Sequence, residues 1–261
     1  MTTTKHPSET HEPATQPARD AGYPILKRVF DLAMGLIMGV VALPVMLILA
    51  LLVRLTSRGP VIYAQTRTGL NRRPFQIYKI RTMYHDCERL TGPKWSTDND
   101  PRVTPIGRFL RRSHLDELPQ VWNILKGDMS LVGPRPERPA FVAELEKALP
   151  RYAERLDVLP GLTGLAQVNL PPDIDHDSVR RKLAFDLFYV SHASLWLDLR
   201  IVFGTGLMFL GMSPATLTRL LSLRPARLAR FAEQESERGR MHEPVGVVDL
   251  VSQARPAWRE S

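Results

Sequence analysis

From Leu32 to Val53 the chain carries no charged or polar side chain. A helix rises about 1.5 Å per residue, so this run would reach about 33 Å, close to the hydrocarbon thickness of a bilayer. Basic residues flank both ends, Lys27 and Arg28 before it and Arg54 and Arg58 after it. A single crossing concentrates positive charge on its cytoplasmic side. Symmetric flanks fit a helix that enters and leaves the membrane on one face. Pro44 has no N–H, so it releases the carbonyl of Val40 and bends the helix. Gly35 and Gly39 would ease close packing. A kinked but ordinary transmembrane helix fits the same composition, since such helices tolerate proline. A signal peptide fits poorly, because its apolar core is about 7–15 residues and ends at a small-residue cleavage site.

A second apolar run, Ile201 to Met212, is too short to cross a bilayer. It follows Leu195, Trp196, Leu197 and Leu199, broken by Asp198 and Arg200. That pattern predicts an amphipathic helix at headgroup depth, with Trp196 near the interface. A buried core helix is the alternative. Between the two runs, Val61–Gln65 and Phe75–Ile80 are β-branched and aromatic and are joined by the turn-forming stretch Gly69–Arg73. Together they predict a β-hairpin. Helical apolar spacing recurs over Leu118–Leu125, Phe141–Leu149 and Val179–Val190. Thr91–Pro105 and Pro160–Pro172 read as irregular segments, and long loops are often functional. No internal repeat is present. The pattern predicts an α+β, mostly helical chain in four parts. Residues 1–23 form a polar, disordered N-terminal tail. Residues 24–58 form a re-entrant membrane helix, and residues 59–212 a catalytic domain with interfacial helices. Residues 213–261 form a variable basic helix, with Arg224, Arg227 and Arg230 on it, and a polar tail.

Composition narrows the setting. The 261 residues carry a formal charge of +8, which suits an anionic lipid surface or phosphate-rich ligands. One cysteine, Cys87, excludes an intramolecular disulfide and fits a reducing compartment.

The chemistry concentrates between Arg108 and Gln120. Asp116 and Glu117 are adjacent and followed by Pro119, which places both carboxylates at a helix N-terminus. Such a site keeps a carboxylate ionised or holds a phosphate. Arg108, Arg111 and Arg112 could neutralise phosphoryl oxygens. One carboxylate could attack phosphorus and the other could hold a divalent cation. An ordinary capping preference also explains the pair. Lys79-Ile-Arg81-Thr82-Met83 ends the hairpin with two cations and a hydroxyl. Gly127–Glu137 locks Arg135 between two prolines, a suitable way to aim a guanidinium at a ligand. Each could equally be a solvated charge on a turn.

Taken in order, these segments resemble a family. They are Lys79–Met83, Asp100-Pro-Arg-Val103, Leu115-Asp-Glu-Leu-Pro-Gln120, Gly127–Pro136, Pro160-Gly-Leu-Thr-Gly164, Ala166-Gln-Val-Asn169, Asp186-Leu-Phe-Tyr189 and Ser194-Leu-Trp-Leu-Asp198. From about Ile25 to Met212 the chain resembles the bacterial sugar transferases, the monotopic phosphoglycosyl transferases, in their short form. The resemblance implies transfer of a sugar 1-phosphate from a UDP-sugar to undecaprenyl phosphate. It further implies Mg²⁺, a cytoplasmic-face site at the bacterial inner membrane, contact with membrane lipid and with downstream glycosyltransferases, and no nucleic acid. Carried over, Asp116 is the nucleophile and Glu117 helps bind the metal. Lys79, Arg81 and Arg111 are implied for phosphates and Arg135 for the nucleotide. Two positions depart from the family pattern. Leu43 stands where serine commonly precedes the membrane proline, and His114 where a small or hydroxyl residue precedes Leu-Asp-Glu. A non-enzymatic basic membrane scaffold is the competing expectation.

Overall fold

The computed structural model describes residues 22–85, 87, 100–149, 151–171 and 176–223. Most of the expected N-terminal tail, most of the Thr91–Pro105 loop and the expected basic helix after Leu223 lie outside those residues. Helix α1 (Tyr23–Thr56) runs 34 residues through Pro44, longer at both ends than the apolar run alone. The extension follows from Tyr23, Lys27, Arg28 and Asp31, which find partners in the folded domain and so tolerate a helix start with no side-chain cap.

The expected hairpin is present. Strands β1 (Ile62–Thr68) and β2 (Pro74–Ile80) pair antiparallel, with Ile62 opposite Ile80 and Thr68 opposite Pro74. Asn71 and Arg72 turn the chain at positive φ, a region asparagine enters more readily than most residues. Next come α2 (Pro105–Arg112) and α3 (Gln120–Lys126). Thr104 caps α2 by accepting the Gly107 N–H at 3.0 Å, and its own N–H donates to the Thr82 carbonyl at 2.9 Å. Helix α2 is thereby tied to the end of β2.

The Pro160–Pro172 expectation is corrected. Strand β3 (Ser130–Val132) is followed by α4 (Pro139–Ala148), β4 (Gly161–Thr163) and α5 (Leu165–Asn169), and β3 pairs in parallel with β4. A three-residue strand built around glycine has no alternation to read. It exists because its backbone meets Gly133, where an added Cβ on Gly161 would lie 2.1 Å from the Gly133 nitrogen. Helices α6 (His176–His192), α7 (Leu195–Phe209) and α8 (Pro214–Leu220) complete the chain.

The main core gathers Ile77, Ile124, Met129, Leu131, Leu165 and Phe185, among others, from both small sheets and the helices over them. A second core lies between α4 and α6, with Tyr152 and Leu156. A third joins Leu49 and Val53 of α1 to Ile80 and Leu110.

Helix α1 is gripped along its length by one domain. Near its start Lys27 Nζ and the Tyr23 hydroxyl donate to the buried Asp198 at 2.9 and 3.0 Å. Arg28 donates to the carbonyls of Ile124 and Leu125 at the end of α3, at 2.7 and 2.9 Å. Asp31 accepts the Leu131 N–H at 3.0 Å. Gly35 and Gly39 face Ile124, Leu125 and Val121 of α3. At the far end Arg81 donates to both the carbonyl and the hydroxyl of Ser57, each at 2.9 Å. The opposite face of α1 leaves Leu36, Val40, Val41, Leu47, Ile48 and Leu55 exposed. Helix α7 likewise exposes Trp196, Leu199, Phe203 and Phe209 while burying Leu197, Asp198 and Ile201.

Two glycines separate packing from propensity. A Cβ on Gly107 would lie 2.0 Å from the Thr82 carbonyl oxygen, whereas one on Gly206 meets nothing within 4 Å. Gly107→Ala is expected to destabilise the fold by about 1–3 kcal/mol. Gly206→Ala, inside α7, is expected to stabilise it by about 0.5–1 kcal/mol. Thermal melts of both variants in detergent check the opposite signs.

Candidate active site

Asp116 and Glu117 sit on the short link between α2 and α3, the two helices that rest on α1. They form a 3₁₀ turn, Leu115–Glu117, rather than the first turn of α3, whose N-cap is Pro119. His114 opens that turn at φ 54°, a left-handed backbone that most side chains avoid. Both carboxylates are buried.

Glu117 is clamped by two cations from different parts of the chain. Lys79 Nζ on β2 donates to Oε1 at 2.7 Å, and Arg135 Nη2 donates to the same oxygen at 2.6 Å. Arg135 Nη1 reaches Oε2 at 3.4 Å. Burial pushes Glu117 up, but Arg135 and Lys79 together pull it down further, so it stays well below the usual carboxylate range. Burial likewise lowers Lys79, with Glu117 opposing the shift. Glu117 raises Arg135.

Asp116 differs from its neighbour. Among the described residues it accepts no hydrogen bond and forms no ion pair. Burial raises its carboxyl above the ordinary aspartate range, and the charge of Glu117 adds to this, while Lys79, Arg111 and Arg135 pull the other way. A buried, unpartnered carboxylate beside three cations has the character of a reacting group.

The remaining expected site residues divide. Arg111 donates through Nε to the Thr82 hydroxyl at 2.9 Å and lies within electrostatic reach of Asp116. Arg81 is turned away from the dyad toward Ser57 at the end of α1, so the structure does not bring it to the carboxylates. The isolated motif could not show this: Lys79 and Arg81 are two positions apart and would share a face on a continued strand, but β2 ends at Ile80 and Arg81 lies past it, against the end of α1. Arg108 and Arg112, one turn apart, are exposed, unlike the partly buried Arg111.

Other residues that assemble the site carried no chemical signal in the sequence. Asn123, fully buried, donates to the Gln76 carbonyl at 2.6 Å and accepts the Tyr78 N–H at 3.2 Å, imitating a neighbouring strand along β2. That contact sets Glu117, on the link before α3, against Lys79. Arg155 donates to the Arg135 carbonyl at 2.8 Å and pairs with Asp186 at 2.8 Å, both side chains being buried. Arg67 donates to the Pro136 carbonyl at 3.0 Å and to Glu137 at 3.2 Å. The loop carrying Arg135 is thus held from both sides. The signal for Asn123, and for a structural role of Asp186, is a polar residue inside helical apolar spacing, a pattern that demands a buried partner.

Among the described residues no three His, Cys, Asp or Glu side chains converge on a point that could hold a metal ion. Of the two Glu117 carboxylate oxygens, Oε2 is the less occupied, with one contact, at 3.4 Å, among the described residues.

The site defines a protein with a membrane-length apolar helix whose domain holds a carboxylate pair among cations suited to phosphate. A profile of the bacterial sugar transferase family matches residues 22–211, and the chain belongs to that family. It is 42% identical over 184 residues to the undecaprenyl-phosphate glucose phosphotransferase of Komagataeibacter xylinus. It is 43% identical over 183 residues to the UDP-N-acetylgalactosamine-undecaprenyl-phosphate N-acetylgalactosaminephosphotransferase of Aeromonas hydrophila. A third relative, the exopolysaccharide production protein PSS of Rhizobium leguminosarum bv. phaseoli, is 42% identical over 186 residues. These matches cover 69%, 70% and 69% of the chain, which spans 35% and 43% of the first two relatives and 93% of the third.

The two carboxylates are expected to respond oppositely to neutralisation. Glu117→Gln leaves Lys79 and Arg135 without their anion. Arg135 is 41% exposed and regains water, so the expected loss is about 2–3 kcal/mol, below that of a fully buried pair. Asp116→Asn removes a charge that burial disfavours, and the melting temperature rises at neutral pH. The pH dependence follows the same signs. The Glu117 contribution is present above the ordinary glutamate pKa and is lost as pH falls through its depressed value. The Asp116 penalty appears as pH rises through its raised value. Melts of the metal-free protein and both variants across pH check this.

Proposed function

We propose that this protein transfers a sugar 1-phosphate from a UDP-sugar to undecaprenyl phosphate, through an aspartyl-phosphosugar intermediate on Asp116. The observation that carries the reading is the division of labour within the dyad. Glu117 is committed to Lys79 and Arg135, while Asp116 is buried beside the same cations without a partner.

A carboxylate oxygen of Asp116 attacks the sugar-linked phosphorus of the donor. The phosphoanhydride bond breaks and UMP leaves with the bonding electrons. A phosphate oxygen of undecaprenyl phosphate then attacks the same phosphorus, and the Asp116–phosphorus bond breaks to restore the carboxylate. Neither step needs a proton from the protein. Lys79, Arg111 and Arg135 offset the repulsion between anions that meet here. Splitting one displacement into two keeps donor and lipid from having to occupy the site together.

Mg²⁺ fits the donor set, since this ion is commonly held by one or two carboxylates together with substrate phosphates and waters. Asp116 and Glu117 Oε2 would hold it, and bound there it would neutralise charge on the diphosphate. The chain's own residues orient the pair: Asn123 sets Glu117 against β2, and Arg155 holds the Arg135 carbonyl.

The acceptor is a lipid, so the dyad must lie at headgroup depth. A dip-and-return path for α1 meets that need and is supported by contacts from one domain at both of its ends, through Asp198 at the start and Arg81 at the finish. The exposed Trp196 and Phe203 of α7 suit an interfacial helix beside it. In this reading the protein sits on the cytoplasmic face of the bacterial inner membrane and starts a lipid-linked glycan such as an exopolysaccharide. The glycosyltransferases that extend the product would act next.

Wild-type protein incubated with Mg²⁺ and a radiolabelled UDP-sugar, then quenched, is expected to carry label on Asp116 and to release UMP. Asp116→Asn is expected to lose the adduct and at least a thousandfold in turnover. An unlabelled wild-type protein, or a variant with full turnover, would leave the scaffold reading standing. For the helix path, single cysteines at Ile25 and Arg58, in a Cys87→Ser background, are expected to react with an impermeant maleimide from the same face. Labelling from opposite faces would refute the re-entrant path.

A further inference from the structure

The outward face of α2 has no role in the chemistry above. Arg108 and Arg112 lie one turn apart on it, with Phe109 between them 55% exposed. The inward face is committed: Leu110 is fully buried against Leu49 and Val53 near the end of α1, and Arg111 turns to Thr82. Where α1 ends, Arg54 and Arg58 are exposed beside Leu52 and Leu55. None of these arginines has an acidic partner among the described residues. No acidic residue occurs within α2 or in the second half of α1. Just past α2 the His114 ring meets the ring of Phe209 edge-on, with centroids 5.9 Å apart, and Leu210 beside it is 83% exposed. Unpaired cations interleaved with exposed apolar side chains, at the foot of an apolar helix, match a headgroup layer. The guanidinium meets phosphate while Phe109 and Leu55 enter the acyl boundary.

The geometry points to a phospholipid-selecting surface, formed by Arg108 and Arg112 with Arg54 and Arg58, that seats the domain on anionic glycerophospholipid headgroups beside the catalytic turn. This rests on the membrane reading of α1 and adds to it a preference among lipids. The anionic-lipid contacts are separate from the reacting phosphates, because Arg111, which lies between the two α2 arginines, turns the other way. The formal charge of +8 favours the same partner. An acidic protein or an RNA would match the charge but leaves Phe109, Leu52 and Leu55 in water.

The test uses the full chain in vesicles of phosphatidylcholine with 30% phosphatidylglycerol, without donor or undecaprenyl phosphate. Trace pyrene-labelled phosphatidylglycerol or phosphatidylcholine reports lipid near the protein by energy transfer from tryptophan. Each arginine near an anionic surface strengthens attraction by about 5-fold. Wild type is expected to enrich phosphatidylglycerol over phosphatidylcholine by about 10-fold at low salt and much less at 0.5 M salt. Arg108→Gln/Arg112→Gln is expected to lose at least 5-fold of that enrichment, while keeping the wild-type melting temperature in neutral detergent. Arg108→Lys/Arg112→Lys should retain the enrichment, which guards against misfolding as the cause. Equal neighbours in wild type, or unchanged enrichment in the glutamine variant, would overturn the proposal. RNA binding that depends on these arginines, with no lipid preference, would overturn it in favour of a nucleic acid. Failure to insert even into pure phosphatidylcholine would instead refute the membrane reading.

Discussion

A carboxylate removed from water stays charged only when cations are removed with it. Glu117 meets that condition through Lys79 and Arg135, and much of the domain serves to bring these three groups together. Lys79 arrives on a strand, Arg135 on a proline-locked loop and Glu117 on a tight turn. Each carrier is braced in turn, β2 by Asn123 and the loop by Arg67 and by Arg155 with Asp186. The net worth of such a pair to folding is small once desolvation is counted. Its larger effect is positional: the cations reach the neighbourhood of Asp116 already oriented, and Asp116 remains unpaired beside them.

That positional effect has a membrane counterpart. The link carrying the dyad joins the two helices that rest on α1, so the depth of the dyad follows the depth of α1. The contacts on α1 are of two kinds. Its apolar side chains reach the core at Leu49 and Val53, and its polar ones reach Asp198, the end of α3 and the Leu131 amide. Apolar contacts alone would let the helix slide. The hydrogen-bonded set fixes its register on the domain.

The apolar helix, the hairpin and the main helices were legible in the sequence because their signal is local: uninterrupted apolar length, β-branched runs about a turn, and apolar spacing near 3.6. The pairing of β3 with β4 was not, because a three-residue strand has no period and its partner lies about thirty residues away. Asp116, Glu117, Lys79 and Arg135 were legible as chemistry, and the structure joins them. Arg81 illustrates the limit. Its residue type and the nearby Lys79 suggested phosphate, but only the fold shows its Nη2 directed to Ser57 and away from the dyad. Asn123 was silent, and Asp186 stood only as part of a resemblance segment with no role, for the opposite reason: their partners are a strand edge and an arginine remote in sequence.

The fastening of Tyr23 to Asp198 spans 175 positions of chain. At a ribosomal pace of about 5–20 residues per second, Tyr23 is made about 9–35 s before its anchoring aspartate. For that time the start of α1 lacks its Asp198 anchor, and its outward apolar face is one that the finished fold leaves uncovered as well. In the membrane reading of α1, the order of the polypeptide lets this helix reach lipid before the rest is translated. A rearrangement that moved this helix to the C-terminus would keep every native contact and forfeit that head start.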